Sequence, residues 1–427
     1  MNLKELPKLA QKERFPASVS RLPNGLTVVH QHVAATPVVT VDVWVRAGAR
    51  VEPLSWSGIA HFLEHMIFKG SDRLPPGYFD HVIESRGGIT NAATSHDYAH
   101  FFITTAASYL PETLPCLAEL LLNAAIPEDE YERERLVVLE ELRQAQDDPD
   151  WLGFQALMAA AYPTHPYGRS VLGTEESLMA QTAWDMHLFH RTYYQPQNMT
   201  VAVVGDVSQL HALDMVESVF RTFPQCETPC LTPKHEPERP LDRVQRQEIS
   251  LPRLEQARLM MAWTGPGVDQ LREAYGLDLL SVLLAGSQSS RLVRELREKK
   301  HLVQDISSSF SLQQQSSVFT LTAWLPPENL ERVEALIGDR LSELVTHPIL
   351  DVELNRHKRL LCNDYTYSTE TTNQLAGLYG YYGTIAHAEV AHRYPEQIRS
   401  LTVEELRYLA NKYLSPYRYT VTVLKPE

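Results

Sequence analysis

The chain has 427 residues, more than one ordinary domain holds, and this length suggests two or three domains. Its 44% hydrophobic and 22% charged residues are typical of a globular protein. The net charge of −14 argues against nucleic acid as the main partner, because phosphate binding needs clustered lysine and arginine.

The N-terminal segment, residues 1–14, carries lysine and glutamate and lacks the apolar core of a secretory signal. No stretch approaches about 18 uninterrupted apolar residues, so no membrane-spanning helix is expected. Four scattered cysteines favour a reducing compartment. We therefore expect a cytoplasmic protein without a membrane partner, and the sequence leaves the periplasm or an organelle open.

Residues 61–65 read His-Phe-Leu-Glu-His. On a helix, His61 and His65 lie about 40° apart around the axis, so both imidazoles can bind one ion. Glu64 lies on the same side, where it can take a proton from a water held by that ion. This pattern is the inverted form of the zinc-protease signature, and it predicts two metal ligands and a general base in one helical turn.

The alternative is an amphipathic core helix that carries two histidines by chance. Residues 59–66 do place an apolar stripe at helical spacing, so the helix is packed in either case. Ser55 or Ser57 can cap its start, which places the motif in the first turns of a short helix. This context favours the metal site.

A catalytic zinc site needs a third protein ligand. Residues 129–142 predict a helix on which Glu134 and Glu141 lie within about 20° of each other, on a face shared with Val137 and Val138. A carboxylate on an inward face is costly unless it is paired or metal-bound. We therefore interpret Glu141 as the third ligand and Glu134 as a supporting residue, and residues 128–132 as a solvated acidic face.

The remaining histidines show no second set of ligand spacings. His96 and His100 are four residues apart in a predicted strand, where that spacing separates them by about 13 Å. They are too far apart to share an ion.

These features resemble the pitrilysin/insulinase family of metallopeptidases, in particular its smaller bacterial and mitochondrial-processing-peptidase-like branch. The pairing of HFLEH with Glu141, 76 positions after His65 (141 − 65), carries the resemblance. Further matching stretches are residues 22–26, 58–60, 68–71, 87–92, 165–168 and 194–199. The resemblance implies one Zn²⁺ per chain bound by His61, His65 and Glu141, with Glu64 as catalytic base and Glu134 in a supporting catalytic role.

A proline-rich segment divides the chain, with five prolines in residues 223–240. We predict an N-terminal α+β domain over 1–223, a linker over 224–242 and a homologous C-terminal α+β domain over 243–427. Both halves run through similar patterns and end on an apolar strand, which indicates an internal duplication.

Each predicted domain is a mostly antiparallel sheet flanked by helices. The resemblance implies that the two domains face each other as a clamshell. The second half has no H-x-x-E-H pattern, so one active site per chain is expected, in the first half.

Residues 87–94 are rich in small side chains and lie where an edge strand can begin. An exposed edge accepts an extended peptide through backbone hydrogen bonds. A plain hairpin turn is the alternative, and the residues alone leave the two near even. The resemblance favours peptide binding by Asn91 and Ala92, with peptides or unfolded polypeptides as substrates.

The second half departs from the family pattern. Family members with a complete site carry there an arginine followed seven residues later by a tyrosine, and both contact substrate. Arg297 matches the arginine, but Gln304 stands at the tyrosine position. Arg297 can also be read as part of a charged, solvated helix face.

We therefore predict a zinc endopeptidase that works as a dimer, with a homologous subunit supplying the Arg/Tyr pair. A homodimer is the alternative assembly. A non-catalytic scaffold or core-type subunit of a processing complex is the alternative function.

Overall fold

The computed structural model describes residues 15–221, 235, 236, 238 and 241–427. In chain order the first half contains β1 (Ser18–Arg21), β2 (Thr27–His32), β3 (Val38–Val45), α1 (Ile59–Ile67), α2 (Tyr78–Glu84), β4 (Ile89–Thr94), β5 (Ala99–Ala106), α3 (Leu110–Leu122), α4 (Glu128–Asp147), α5 (Pro149–Ala161), α6 (Glu175–Ala180), α7 (Ala183–Tyr193), β6 (Met199–Gly205) and α8 (Gln209–Phe220).

The second half repeats much of this order. It contains β7 (Gln245–Ser250), β8 (Ala257–Gly265), α9 (Leu271–Ala285), β9 (Asp305–Leu312), β10 (Ser317–Leu325), α10 (Leu330–Thr346), α11 (Asp351–Tyr367), α12 (Thr372–Ile385), α13 (Glu389–Ser400), α14 (Val403–Tyr413) and β11 (Thr420–Lys425). Among the described helices, none is long and apolar enough to cross a bilayer.

The two sheets share one topology over five strands, and the first sheet has β1 as an additional edge strand. The first has the strand order β1-β2-β6-β3-β5-β4 and the second β7-β11-β8-β10-β9. Each contains one parallel pair, β2 with β6 and β7 with β11, and its other pairs are antiparallel. The predicted α+β fold with two duplicated, mostly antiparallel halves is confirmed.

The predicted linker falls mainly on residues outside the described part of the chain. The domain boundaries at 223 and 243 therefore stay a prediction.

One face of the first sheet packs on helices of its own half. In β3, Val39, Val41 and Val43 alternate into this core, which also contains Phe62 and Leu63 of α1. Helix α1, which carries the metal motif, lies against β4 and β5 of the same sheet.

The second face of each sheet is covered by a helix from the other half of the chain. Ala376 and Tyr379 of α12 pack against Ala202 and Val204 of the first sheet. In return, α5 of the first half packs against Met260 and neighbouring residues of the second sheet. The clamshell is therefore interlocked by one helical segment in each direction.

Candidate metal centre

Helix α1 begins in a left-handed glycine, Gly58, and its first amides are bound by a carboxylate. Glu52 accepts hydrogen bonds from the main-chain N–H of Gly58 at 2.9 Å and of Ala60 at 2.8 Å. Burial raises the pKa of Glu52 to about 7, against these hydrogen bonds. The predicted caps Ser55 and Ser57 are wrong, because Glu52 occupies the helix N-terminus.

Helix α4 presents Glu134 and Glu141 toward α1, as the seven-residue spacing predicts. Glu134 and Val138 of α4 are buried, as predicted, but Val137 is 51% exposed. The buried face of α4 therefore does not include Val137. The Glu141 side chain is 44% exposed, which leaves this side of the cluster open to solvent.

His61, His65 and Glu141 form one cluster, whose ligand atoms all lie within 4.8 Å of one another. Glu141 Oε2 is 3.6 Å from His61 Nε2 and 3.4 Å from His65 Nε2. Neighbouring ligand atoms of a tetrahedral zinc ion with bonds near 2.0 Å are about 3.3 Å apart. Glu141 Oε2 therefore stands near the spacing that one zinc ion requires from each of the two histidine nitrogens.

The side chains of His61 and His65 are held by different neighbours. His65 Nδ1 lies 2.9 Å from Glu134 Oε1, and Lys69 Nζ lies 2.6 Å from Glu134 Oε2. Burial alone would raise the pKa of Glu134, but the hydrogen bonds from Lys69 and His65 lower it. An ionised Glu134 holds the proton of His65 on Nδ1 and so leaves Nε2 free to bind metal.

His61 Nδ1 is buried and has no hydrogen-bond partner among the described residues. Burial, with a smaller contribution from His65, lowers the pKa of His61 to about 4. Its imidazole is therefore neutral at physiological pH, which is the metal-binding form.

Glu64 points to the edge of the first sheet, where its Oε2 accepts a 2.6 Å hydrogen bond from Thr94 Oγ1 at the end of β4. Burial raises the pKa of Glu64, and the Thr94 hydrogen bond opposes this rise. Glu64, the predicted base, is thus held by a residue of the strand that is predicted to receive substrate.

Asn91 and Ala92 lie on β4, which pairs with β5 on one side and ends the described sheet on the other. The Asn91 side chain is turned back on the strand, where Oδ1 accepts from the Ala92 N–H at 2.9 Å. The open edge that strand addition requires is present.

Arg297 lies in a π-helical segment of the second half, Val293–Lys299. Its guanidinium pairs with Glu298 at 2.9 Å and with Asp305 at 3.1 Å. The Gln304 N–H donates to the Trp324 carbonyl just before β9 begins. The structure thus brings together the residues from the first half, while the charge of Arg297 is balanced inside the second half.

Sequence reasoning missed Thr94, Lys69 and Glu52. Lys69 follows His65 by four residues, a helical spacing that could have flagged it. Thr94 and Glu52 reach α1 from a strand and a loop, and no local pattern reports such contacts.

His96 and His100 also differ from expectation, because β5 begins only at Ala99 and His96 lies in the preceding turn. His100 Nδ1 lies 3.0 Å from buried Asp42. The strand spacing used to separate these two histidines therefore does not apply, and the absence of a joint metal site stays a prediction.

Two family models match the chain. The model described as Insulinase (Peptidase family M16) matches residues 27–175, and the model described as Peptidase M16 inactive domain matches residues 182–361. The zinc protease PqqE of Helicobacter pylori is 31% identical over 408 residues, which are 95% of this chain and 92% of the relative. This chain belongs to the M16 peptidase family. Another relative of this M16 chain, the uncharacterized zinc protease YmxG of Bacillus subtilis, is 29% identical over 350 residues, which are 82% of this chain and 84% of the relative.

Solved structures share the fold of this M16 chain. A protease from Helicobacter pylori has a TM-score of 0.90 at 30% identity and covers 97% of this chain and 100% of its own. The periplasmic protease PqqL from Escherichia coli shares the fold, with a TM-score of 0.81 at 18% identity. The match covers 98% of this M16 chain but 48% of PqqL, so the two-half unit fills about half of that protein.

Proposed function

We propose that this chain is a zinc-dependent endopeptidase that hydrolyses peptides or unfolded polypeptides. One observation carries the proposal: three ligand atoms from His61, His65 and Glu141 converge beside Glu64, at distances suited to one zinc ion. Two imidazole nitrogens and one carboxylate are a donor set that zinc accepts. The side open to solvent, next to half-exposed Glu141, leaves room for the fourth position that catalytic zinc sites keep free.

When bound, zinc supplies a Lewis acid that polarises a peptide carbonyl and makes water a better nucleophile at neutral pH. Glu64 takes the proton from the attacking water as the new C–O bond forms. It then passes this proton to the amide nitrogen as the C–N bond breaks. Thr94 keeps the carboxylate of Glu64 oriented, and Glu134 keeps the imidazole of His65 oriented.

We infer that substrate adds to the free edge of β4 as an extended strand. Asn91 and Ala92 would then contact the peptide, Ala92 through its backbone once its N–H leaves Asn91 Oδ1, and Thr94 at the end of the same strand touches the base. Backbone pairing of this kind reads little of the side chains, which suits a broad range of unfolded substrates.

The first test replaces Glu64 with Gln. Turnover of a quenched fluorescent peptide should fall by at least about a thousandfold, because the amide cannot accept the proton. Zinc measured by atomic absorption should stay near one ion per chain, whereas Glu141→Gln should bind zinc more weakly. Turnover by Glu64→Gln at the rate of the unchanged chain would remove Glu64 from this role.

We propose further that a homologous subunit completes the pocket, because Gln304 stands where the family pattern has a tyrosine. The phenol of such a tyrosine would donate a hydrogen bond near the scissile peptide, which an amide at this position supplies less well. Arg297 stands at the arginine position of this Arg/Tyr pair, and its guanidinium forms ion pairs with Glu298 and Asp305.

Peptide hydrolysis by the purified chain, alone and mixed with a homologous subunit that carries both residues, decides this point. We expect the mixture to be faster by at least about tenfold. Equal rates would mean that the chain, as monomer or homodimer, needs no such partner. If instead this chain bound no zinc and the mixture hydrolysed no peptide, the scaffold alternative would be supported.

A further inference from the structure

The turn between β9 and β10, residues 313–316, extends from the second half and contacts a cluster of polar side chains in the first half. The Gln314 N–H donates to Asp97 Oδ2 at 2.8 Å. The Gln315 N–H donates to the Tyr167 hydroxyl oxygen at 3.1 Å. Both bonds use the main chain of the turn, so they depend on where the turn lies.

Asp97 is the centre of this cluster. Its Oδ1 accepts from Arg50 Nε at 2.6 Å, and the Tyr167 hydroxyl lies 2.9 and 3.0 Å from its two oxygens. Gln314 Oε1 accepts from the Arg50 guanidinium at 2.5 Å. Asp97 is 3% exposed, Arg50 1% and Tyr167 0%. A buried ion pair is costly unless its remaining lone pairs and protons are satisfied, and here the second half contributes to satisfying them.

Asp97 belongs to the four-residue turn that joins β4 to β5, closed by a hydrogen bond from the Ser95 N–H to the Tyr98 carbonyl at 2.8 Å. The residue before this turn is Thr94, which donates to Glu64 at 2.6 Å. Asp97 therefore lies only three residues after Thr94, whose hydroxyl is bonded to Glu64.

The other side of the turn is equally tight. The Ala49 N–H donates to the Ser95 carbonyl at 3.1 Å and the Arg50 N–H to the His96 carbonyl at 2.8 Å. A Cβ at Gly48 would come within 2.2 Å of the Ser95 carbonyl oxygen. The turn is thus clamped between its own half and the second half.

We propose that the second half, which lacks the metal motif, positions the catalytic base through this clamp. Asp97 and Tyr167 act as positioning residues: they hold the β4–β5 turn and, through Thr94, the carboxylate of Glu64. The proposal rests on the proposed peptidase function, and it makes both halves parts of one catalytic unit.

The test compares two buried tyrosines that each make one hydrogen bond between the halves. Tyr167→Phe removes the hydroxyl that joins Asp97 to the β9–β10 turn. Tyr379→Phe is the matched control, because its hydroxyl bonds Gln31 Oε1 at 2.5 Å, away from the turn. We expect kcat to fall roughly tenfold in Tyr167→Phe with KM and zinc content unchanged, as for a slightly misplaced base, and to stay constant in Tyr379→Phe. Equal kcat values in the two variants would overturn the proposal.

A double-mutant cycle with Thr94→Val tests the path. If the clamp acts through Thr94, the effects of Tyr167→Phe and Thr94→Val on kcat should be less than multiplicative. Fully multiplicative effects would show that the clamp does not act through Thr94.

Hydrogen exchange supplies a readout that needs no activity. In the metal-free protein, deuterium uptake over residues 89–98 should rise in Tyr167→Phe and not in Tyr379→Phe. Unchanged uptake would reject the clamp. An unmodified chain that cleaves no peptide would reject the proposed function, while hydrogen exchange would still decide whether the turn is clamped.

Discussion

At the scale of single residues, the imidazoles of the two predicted metal ligands, His61 and His65, are oriented by different kinds of neighbour. His65 is oriented by a charged neighbour, Glu134, which Lys69 in turn neutralises. His61 is oriented by packing, since its Nδ1 is buried without a hydrogen-bond partner in the described residues. Zinc affinity should therefore depend on Glu134 and Lys69 beside His65, and not only on the three predicted ligands.

Glu134→Ala tests this dependence. Removing the carboxylate frees the orientation and tautomer of His65, so zinc affinity should fall roughly 10- to 100-fold. Competition with a chromogenic chelator measures the change.

Glu140→Ala is the matched control on the same helix, because Glu140 is 58% exposed and lies near Arg143. Its zinc affinity should equal that of the unmodified chain. If both variants bound zinc equally well, Glu134 would have no part in the site.

At the scale of elements, α1 depends on a contact outside its own sequence. The periodicity of residues 59–66 predicts the helix and its two ligands, because helical spacing is a local property. The predicted capping residues, Ser55 and Ser57, are wrong, since Glu52 binds the first amides although both serines are nearer in the chain. Thr94 could not be found for the same reason: sheet pairing, rather than chain proximity, brings β4 beside α1.

The raised pKa of Glu52 gives this contact a pH dependence. A carboxyl whose folded pKa lies above its unfolded value stabilises the fold fully below the unfolded pKa, and this contribution is lost as pH rises through the folded pKa. With a pKa of about 7, against an ordinary 4.5, the loss occurs between about pH 4.5 and 7. It amounts to about 3 kcal/mol.

Glu52→Gln should remove this component. Urea unfolding at pH 5 and pH 8 should show a smaller difference in unfolding free energy for the variant than for the unmodified chain. An identical difference in both proteins would mean that Glu52 does not titrate in this range.

At the scale of the whole molecule, the duplication was readable from the sequence, but the interlocking of the halves was not. Repeated order and the terminal strands predict two similar sheets. Helices α5 and α12 each cover a face of the other half's sheet. Their apolar periodicity shows that one side of each helix is buried, but it does not show which sheet that side packs against. Gly380 shows the closeness of this contact, since a Cβ there would lie 2.0 Å from Trp44 Nε1.

Gly380→Ala should therefore force α12 away from the first sheet and lower the unfolding free energy by about 1–3 kcal/mol. Gly338→Ala, also inside a helix, is the matched control, because its Cβ would meet only Pro416, at 3.8 Å. That change should stabilise the protein by about 0.5–1 kcal/mol. Thermal unfolding of both variants measures the contrast, and a shift of equal sign in both would contradict it.

The interlocked helices also set an order of events during synthesis. The last strand of the first sheet ends at Gly205, but the helix that covers its second face ends only at Ile385. At ordinary translation rates the ribosome needs on the order of ten seconds or more to make the intervening chain. Through that interval the nascent first half bears Val29, Ala202 and Val204 without their cover. Ribosome-bound chains stalled before residue 372 should therefore bind a holdase chaperone, and chains released at full length should not.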